Sequence, residues 1–177
     1  NQAATVALNN VTATAKNNAV MIATSAGAAK VTINDSDLTG LAVVNVAGAG
    51  AQVAINDTKI TNVDANPDED YGAITVWTSA ENAEVTVSGG EVIVADDSRP
   101  GAIFPANATI EGVDNIRYMV ALVGDAGYDT LEEALEEVKA GGTIEMVRDY
   151  AATEIIVVDK AVTINGNGNT ITSTAAR

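Results

Sequence analysis

A four-residue phrase recurs along this chain and limits what it can fold into. In each copy the first and third residues are β-branched or aliphatic, the second is Ala or Thr, and the last is Asn or Ser. A short half-buried strand that ends in a tight turn has this pattern. The copies are Val6–Asn9, Val31–Asn34, Val53–Asn56, Val85–Ser88 and Val162–Asn165. The first three begin 25 and 22 residues apart. Self-similarity at this period predicts a stacked solenoid.

The clearest repeat predicts a coil of three strands. The predicted strands are residues 42–46, 52–55 and 59–63, separated by Gly48–Gly50 and by Asn56–Asp57. Three strands in about 22 residues make one triangular coil, and neighbouring coils then stack about 4.8 Å apart. The sequence therefore predicts an all-β chain that forms a parallel β-helix.

The Asn that ends each phrase is predicted to turn the corner of the coil. Asn tolerates the left-handed backbone conformation, so Asn34 and Asn56 are expected to adopt it. Their amides are also expected to pair between coils in a structural Asn ladder with Asn9 or Asn10 and with Asn165. Ser88–Gly89 would interrupt that ladder.

Composition limits the chemistry available to the chain. Of its residues, 47% are hydrophobic and only 3% aromatic, which favours thin stacked layers of Val, Ile, Ala and Leu. The chain has no Cys and no His, which excludes disulfides, zinc-thiolate sites and any Ser-His-Asp or Cys-His scheme. It contains no run of 18 apolar residues, so no membrane span is predicted.

The net charge of −15 is unevenly distributed. Residues 1–63 hold three acids and three bases, while residues 64–177 hold the remaining 21 acids and six bases. Binding to nucleic acid by counterion release needs clustered Lys and Arg, so this distribution argues against a nucleic-acid partner.

One helix is predicted, near residues 130–140. Thr130–Glu133 forms a capping box, the apolar residues that follow have helical spacing, and Gly141–Gly142 provides a stop. A strand is predicted before the helix at residues 116–123. Further strands are predicted after it, at 142–147, 154–158, 161–164 and 170–172.

The region around this helix resembles the opening of a known kind of module. Residues 128–134 match the pattern Tyr-x-Thr-Leu-x-Glu-Ala, Gly142–Ile144 follows, and Lys160–Gly166 fits Lys-x-Val-Thr-Ile-x-Gly. These features resemble pectin-lyase-like β-helix repeat modules of surface proteins from Gram-positive gut bacteria, in which the helix caps the coil. Ser88–Gly90 is similar to the Ser-Gly-Gly that closes such modules.

The resemblance implies a right-handed parallel β-helix in two parts. Residues 1–124 would be the last coils of one module, and residues 125–177 the capping helix and first coils of the next. It also implies a secreted, extracellular protein at the bacterial cell surface, because such modules are mostly taken to be adhesins or stalks.

An acidic stretch is predicted to form a solvated loop without metal or other cofactor, and the alternative is a calcium site. The candidate ligands are Asp64, Asn66, Asp68 and Asp70, which alternate like the start of a calcium loop. The stretch departs from the EF-hand, because its sixth position is Glu69 and its twelfth is Thr75. Asp96–Asp97 is predicted to form a turn, with a metal site as the alternative.

Trp77, the only Trp, is predicted to cover the base of the 64–70 loop, and the alternative is a carbohydrate-binding site. Ile74 and Val76 are expected to point inward, which turns Trp77 outward beside Tyr71. An exposed Trp–Tyr pair can stack on a sugar ring.

Catalysis is not predicted. The β-helix polysaccharide lyases that this fold resembles place a catalytic Arg or Lys beside calcium-binding acids on one sheet. The corresponding strands here, Met21–Ile22 and Val43–Val46, carry no charge, and Arg99 and Arg117 are the only bases near the acidic middle.

These observations predict a non-enzymatic structural or adhesive module, a rigid spacer that displays a binding loop. The alternative is a carbohydrate-binding or lyase-type β-helix with its site near Trp77. The expected partner is a host or cell-wall glycan or a protein ligand. Head-to-tail self-association is also expected, because neither Thr5–Leu8 nor Thr170–Thr172 carries a cap.

Overall fold

The computed structural model describes residues 4–63, 71–95, 101–113, 116–124 and 126–175. The chain divides into two compact units, residues 1–117 and 118–177. The sequence placed this boundary after residue 124.

The first unit is a stack of three-strand coils. Its strands are β1 (Thr5–Asn9), β2 (Thr12–Thr14), β3 (Val20–Ile22), β4 (Lys30–Asn34), β5 (Asp37–Gly40), β6 (Val44–Val46), β7 (Gln52–Asn56), β8 (Lys59–Asn62), β9 (Ile74–Val76), β10 (Glu84–Ser88), β11 (Glu91–Val94), β12 (Gly101–Ile103), β13 (Thr109–Glu111) and β14 (Ile116–Tyr118). A short 3-10 helix, Thr24–Ala26, follows β3.

Every third strand belongs to the same sheet. Sheet A has the order β1-β4-β7-β10-β13, sheet B has β14-β11-β8-β5-β2, and sheet C has β12-β9-β6-β3. The pairings between successive coils are parallel and in register. This architecture confirms the predicted parallel β-helix.

The core consists of aliphatic rows that run from coil to coil. In sheet A, Val31 pairs with Val53 and Val53 with Val85, and all three side chains are buried. The second inward row of that sheet contains Ile33 and Ile55, which are fully buried. Burying each such side chain contributes about 1.5–3 kcal/mol. The repeated phrase is therefore the signature of this core.

A left-handed residue turns the chain from sheet A to sheet B. In successive coils it is Asn10, Asp35, Asp57 and Gly89, with φ between 45° and 72°. The prediction that Asn34 and Asn56 occupy this conformation is wrong by one residue. Both still pair in sheet A and so remain extended, and the turn falls on the residue that follows.

Buried hydroxyl groups satisfy the backbone just after this corner. Ser36 Oγ donates to the carbonyl of Asn34 at 2.7 Å, and Thr58 Oγ1 donates to that of Asn56 at 2.8 Å. Each hydroxyl also accepts from an N–H of the preceding coil: Ser36 from Val11 at 3.1 Å, and Thr58 from Ser36 at 3.4 Å. These bonds link neighbouring coils where a buried polar backbone would otherwise be unpaired.

The second unit begins with antiparallel strands. Its elements are β15 (Ala121–Val123), β16 (Ala126–Tyr128), α1 (Leu131–Glu137), β17 (Thr143–Met146), β18 (Tyr150–Ala152), β19 (Thr163–Asn165) and β20 (Ile171–Ser173). β15 pairs antiparallel with β16 and β17, whereas β17–β19 and β18–β20 are parallel. The single strand predicted at 116–123 is therefore two strands, separated by the buried residues Met119 and Val120.

The predicted helix is α1, and it is shorter than expected. Thr130 Oγ1 accepts from the N–H of Glu133 at 3.2 Å, as a capping residue does. The helix ends at Glu137 because Val138 is extended and its side chain is buried in the core of this unit. At the end of the helix, Nζ of Lys160 donates to the carbonyls of Glu136 and Val138 at 2.9 and 3.0 Å.

The strand predicted at residues 154–158 is absent. Ile156 packs against the core, while the side chains of Ile155, Val157 and Val158 are 63%, 69% and 52% exposed. The run has strong β propensity, but no strand among the described residues pairs with it. No described helix is long and apolar enough to cross a membrane.

Gly90 offers a test of how tightly the coils stack. Its φ is +71°, and a Cβ there would overlap the backbone of Thr58 in the preceding coil. We expect Gly90→Ala to lower the free energy of unfolding by about 2–4 kcal/mol, because it adds a backbone clash to the cost of positive φ. Urea unfolding measures this change.

Gly50→Ala is the matched control. Gly50 has a φ of +68°, but a Cβ there would lie at an ordinary 3.5 Å from the Cβ of Ala28. It should cost only about 1 kcal/mol. Equal losses in the two variants would contradict the close stacking at Gly90.

Candidate functional site

The outer face of sheet C carries an uncharged row. Met21, Asn45, Thr75 and Ala102 occupy the same position in successive coils. Thr75 is buried, and its hydroxyl donates to the carbonyl of Gly72 at 3.0 Å and accepts from the N–H of Gly72 at 3.1 Å. These two bonds fix the turn that carries Tyr71 beside the row.

Three aromatic side chains cluster next to this row. The rings of Trp77 and Tyr71 meet edge to face, with centroids 5.3 Å apart and planes at 81°. Phe104 stacks on Trp77 with a centroid distance of 5.2 Å and an interplanar angle of 15°. Trp77 and Tyr71 are each half-buried. The structure therefore brings together the two aromatic residues that the sequence singled out.

Phe104 was missed by the sequence reasoning, although a signal existed. β12 pairs with β9 so that Ile103 lies opposite Val76, and Phe104 therefore follows its strand as Trp77 follows β9. Aligning Val76-Trp77 with Ile103-Phe104 would have indicated stacked aromatic residues at one corner of neighbouring coils.

A groove of about 320 Å³ opens beside the aromatic cluster. Its lining is formed by Asn17, Asn18, Met21, Leu41, Ala42, Asn45, Tyr71 and Trp77. Amide side chains supply hydrogen-bonding groups, and Tyr71, Trp77 and Met21 supply apolar surface. The side chain of Met21 is about half exposed, and its Sδ lies 3.6 Å from Nδ2 of Asn18. This mixture is typical of a site for a neutral polar ligand with apolar faces.

Asn45 is the distinctive residue of this groove. Its side chain is only 4% exposed, and its Nδ2 donates to Oδ1 of Asn18 at 3.3 Å. Its own Oδ1 is buried and has no hydrogen-bond partner in the described part of the chain. Leaving a buried acceptor unpaired costs about 1–3 kcal/mol. A ligand hydroxyl donating to this oxygen would remove that cost.

Comparisons with known proteins do not identify the site: no family model, curated protein or solved structure matches this chain. The β-helix is therefore established by its sheet register. A function must be argued from the residues of the groove, because a fold by itself does not imply one.

The predicted metal ligands lie outside the described residues. These are Asp64, Asn66, Asp68 and Asp70, together with Asp96–Asp97 and the nearby Arg99. Within the described ranges, no group of three or more acidic side chains is arranged to hold a metal ion. Calcium binding by residues 64–70 stays a prediction.

The structural Asn residues fall into two sets. Asn34 Nδ2 donates to Asn9 Oδ1 at 2.7 Å, and Asn56 Nδ2 donates to Asn34 Oδ1 at 2.8 Å, so these three form one ladder. Asn165 lies elsewhere, opposite Glu145 in the second unit, and its Oδ1 accepts from the N–H of Asn167 at 3.3 Å. It is therefore not part of the ladder.

A second amide pair lies at the corner that precedes sheet A. Asn107 Nδ2 donates to Asn82 Oδ1 at 3.0 Å. The sequence reasoning missed it because neither residue belongs to the repeated phrase. The 25-residue spacing that it shares with Asn9 and Asn34 is the signal that could have found it.

The ladder and the groove should respond differently to the same substitution. We expect Asn34→Val to lower the free energy of unfolding by about 1–3 kcal/mol, because it removes two amide bonds between coils. Asn45→Val should cost less, because it also removes an unpaired buried oxygen. Chemical denaturation of both variants measures the difference, and equal losses would argue against the ladder's role.

Proposed function

We propose that this chain is a non-enzymatic structural and adhesive module of a bacterial cell-surface protein. In this proposal the β-helix is a rigid spacer, and the sheet C groove is the part that it presents to a partner. The observation that carries the proposal is the unbroken register of sheet A, with its buried aliphatic rows and amide ladder.

Rigidity follows from how the coils are joined. Backbone hydrogen bonds between neighbouring coils run along the stack, and buried hydroxyls and amides reinforce them at the corners. Each coil contacts mainly its neighbours, so stiffness is set by repeated local contacts. Such a structure can hold a binding surface away from its point of attachment.

The extracellular location and the pectin-lyase-like family are proposed from the sequence. The support is the Tyr-x-Thr-Leu-x-Glu-Ala match at residues 128–134 and the Lys-x-Val-Thr-Ile-x-Gly match at residues 160–166. The absence of Cys is compatible with a bacterial surface protein. Head-to-tail association of solenoid ends belongs to the same proposal.

A second candidate function is carbohydrate binding in the sheet C groove. The unpaired Oδ1 of Asn45 is the specific observation that favours it, because a sugar hydroxyl can donate to this buried atom once the side chains that cover it move aside. Trp77 and Tyr71 supply ring surfaces on which a sugar can stack. The lyase version is less well supported, since the row from Met21 to Ala102 offers no charged side chain to a substrate.

The absence of catalysis can be tested directly. We expect no cleavage of pectic, alginate-type or host polysaccharides, with or without calcium, because the residues that line the groove include no carboxylate, lysine or arginine. Chromatography of the polysaccharide after incubation measures this, with an active lyase as the positive control. New short products would contradict the non-enzymatic proposal.

Glycan binding has a built-in reporter, because Trp77 is the only Trp. If a glycan occupies the groove, the tryptophan fluorescence should change on titration. Asn45→Leu should weaken that response about tenfold, because it removes a buried hydrogen-bond partner of the ligand. Tyr118→Ala, which changes an exposed aromatic residue that does not line the groove, is the control.

The titration separates the two candidate functions. An unchanged response in Asn45→Leu would place any glycan elsewhere. No response to any glycan would leave a spacer whose partner is a protein. Calorimetric titration with Ca²⁺ tests the predicted 64–70 site, and heat that disappears in Asp68→Asn would support it.

A further inference from the structure

The apolar run at residues 154–159 is exposed and is not covered by another part of the described chain. Ile155, Val157 and Val158 are each more than half exposed, which is unusual for adjacent β-branched residues. Among the described residues, residues 154–159 form no hydrogen bond, through either backbone or side chain. The run therefore offers both apolar side chains and unpaired backbone groups.

This run and helix α1 line a groove of about 510 Å³ in the second unit. The lining residues are Glu132, Leu135, Glu136, Glu154, Ile155, Val157, Asp159 and Lys160. Leu135, Ile155 and Val157 form its apolar part. Four carboxylates surround them, and the one cation, Lys160, is bonded to the carbonyls at the end of α1. The groove is thus apolar and negatively charged.

We propose that this groove binds an extended peptide segment of another protein that alternates basic and aliphatic residues. Aliphatic side chains of the segment would cover Ile155 and Val157, and its basic side chains would lie beside Glu136, Glu154 and Asp159. The four carboxylates of the groove favour a basic segment over a second copy of this chain, whose net charge is −15.

Strand addition is the binding mode that this surface fits. An extended peptide placed along an open run gains main-chain hydrogen bonds, and alternate side chains provide selectivity. The free N–H and C=O groups at residues 154–159 are the partners available for those bonds. This partner site is separate from the sheet C groove and does not depend on the proposed glycan binding.

The test uses the full chain and a short fluorescent peptide that alternates lysine with valine or isoleucine. Fluorescence anisotropy should report saturable binding that weakens as salt is raised, because the charges are solvent-accessible. Three control peptides separate the contributions of charge, apolar contact and backbone hydrogen bonding. One has glutamate for lysine, one has serine for the aliphatic residues, and one carries N-methylated backbone amides. All three should bind at least about tenfold more weakly.

Two pairs of matched variants place the site. Val157→Ser should weaken peptide binding about five- to tenfold, whereas Val147→Ser, at an exposed valine that does not line the groove, should not. Glu136→Gln should weaken binding, whereas Glu137→Gln, on the same exposed end of α1, should change it less. Circular dichroism of each variant confirms that the fold is retained.

Three results would overturn the proposal. Equal binding by Val157→Ser and Val147→Ser would mean that the peptide is attracted to the acidic chain as a whole. If the N-methylated peptide bound with unchanged affinity, strand addition would be ruled out. Light scattering that shows dimers which Val157→Ser dissociates would make a second copy the occupant.

Discussion

The structure depends on one constraint: neighbouring coils must share backbone hydrogen bonds in register. Because the strands are parallel and stacked, each position of a coil lies above the same position of the next, and its side chain meets its own counterpart. Aliphatic rows, the amide ladder and the left-handed corner all follow from that repetition. A substitution at an inward position must therefore pack against the equivalent side chains of both neighbouring coils.

Asn34 and Asn45 show how the stacked coils and the groove use asparagine differently. Asn34 both donates to and accepts from its counterparts in adjacent coils, so its amide is used within the protein. Asn45 is more deeply buried, at 4% exposure, yet its oxygen is unpaired. An unpaired buried group of this kind calls for an explanation, and the proposed ligand of the adjacent groove supplies one.

Much of the fold could be predicted because the aliphatic rows of sheet A come from the repeated four-residue phrase. Val31–Asn34 and Val53–Asn56 located β4 and β7. β12 could not be found this way: Gly101–Ile103 lacks the phrase, and only its pairing with β9 makes it a strand. The opposite error occurred at residues 154–158, where propensity indicated a strand without a neighbour. In the site, Trp77 and Tyr71 were accessible to sequence reasoning, whereas Phe104 joins them only through the stacking of coils.

At the corner between sheets B and C, the length of a coil can change without changing how the coils stack. Between the first strands of successive coils the chain uses 25, 22, 32 and 25 residues, yet sheet A stays in register throughout. The longest coil differs mainly between β8 and β9, immediately before the turn that carries Tyr71. Insertions and deletions at this corner can therefore diversify the groove without disturbing the coils. Related chains could exchange such segments freely, and the same corner is a natural position for grafting a foreign recognition loop.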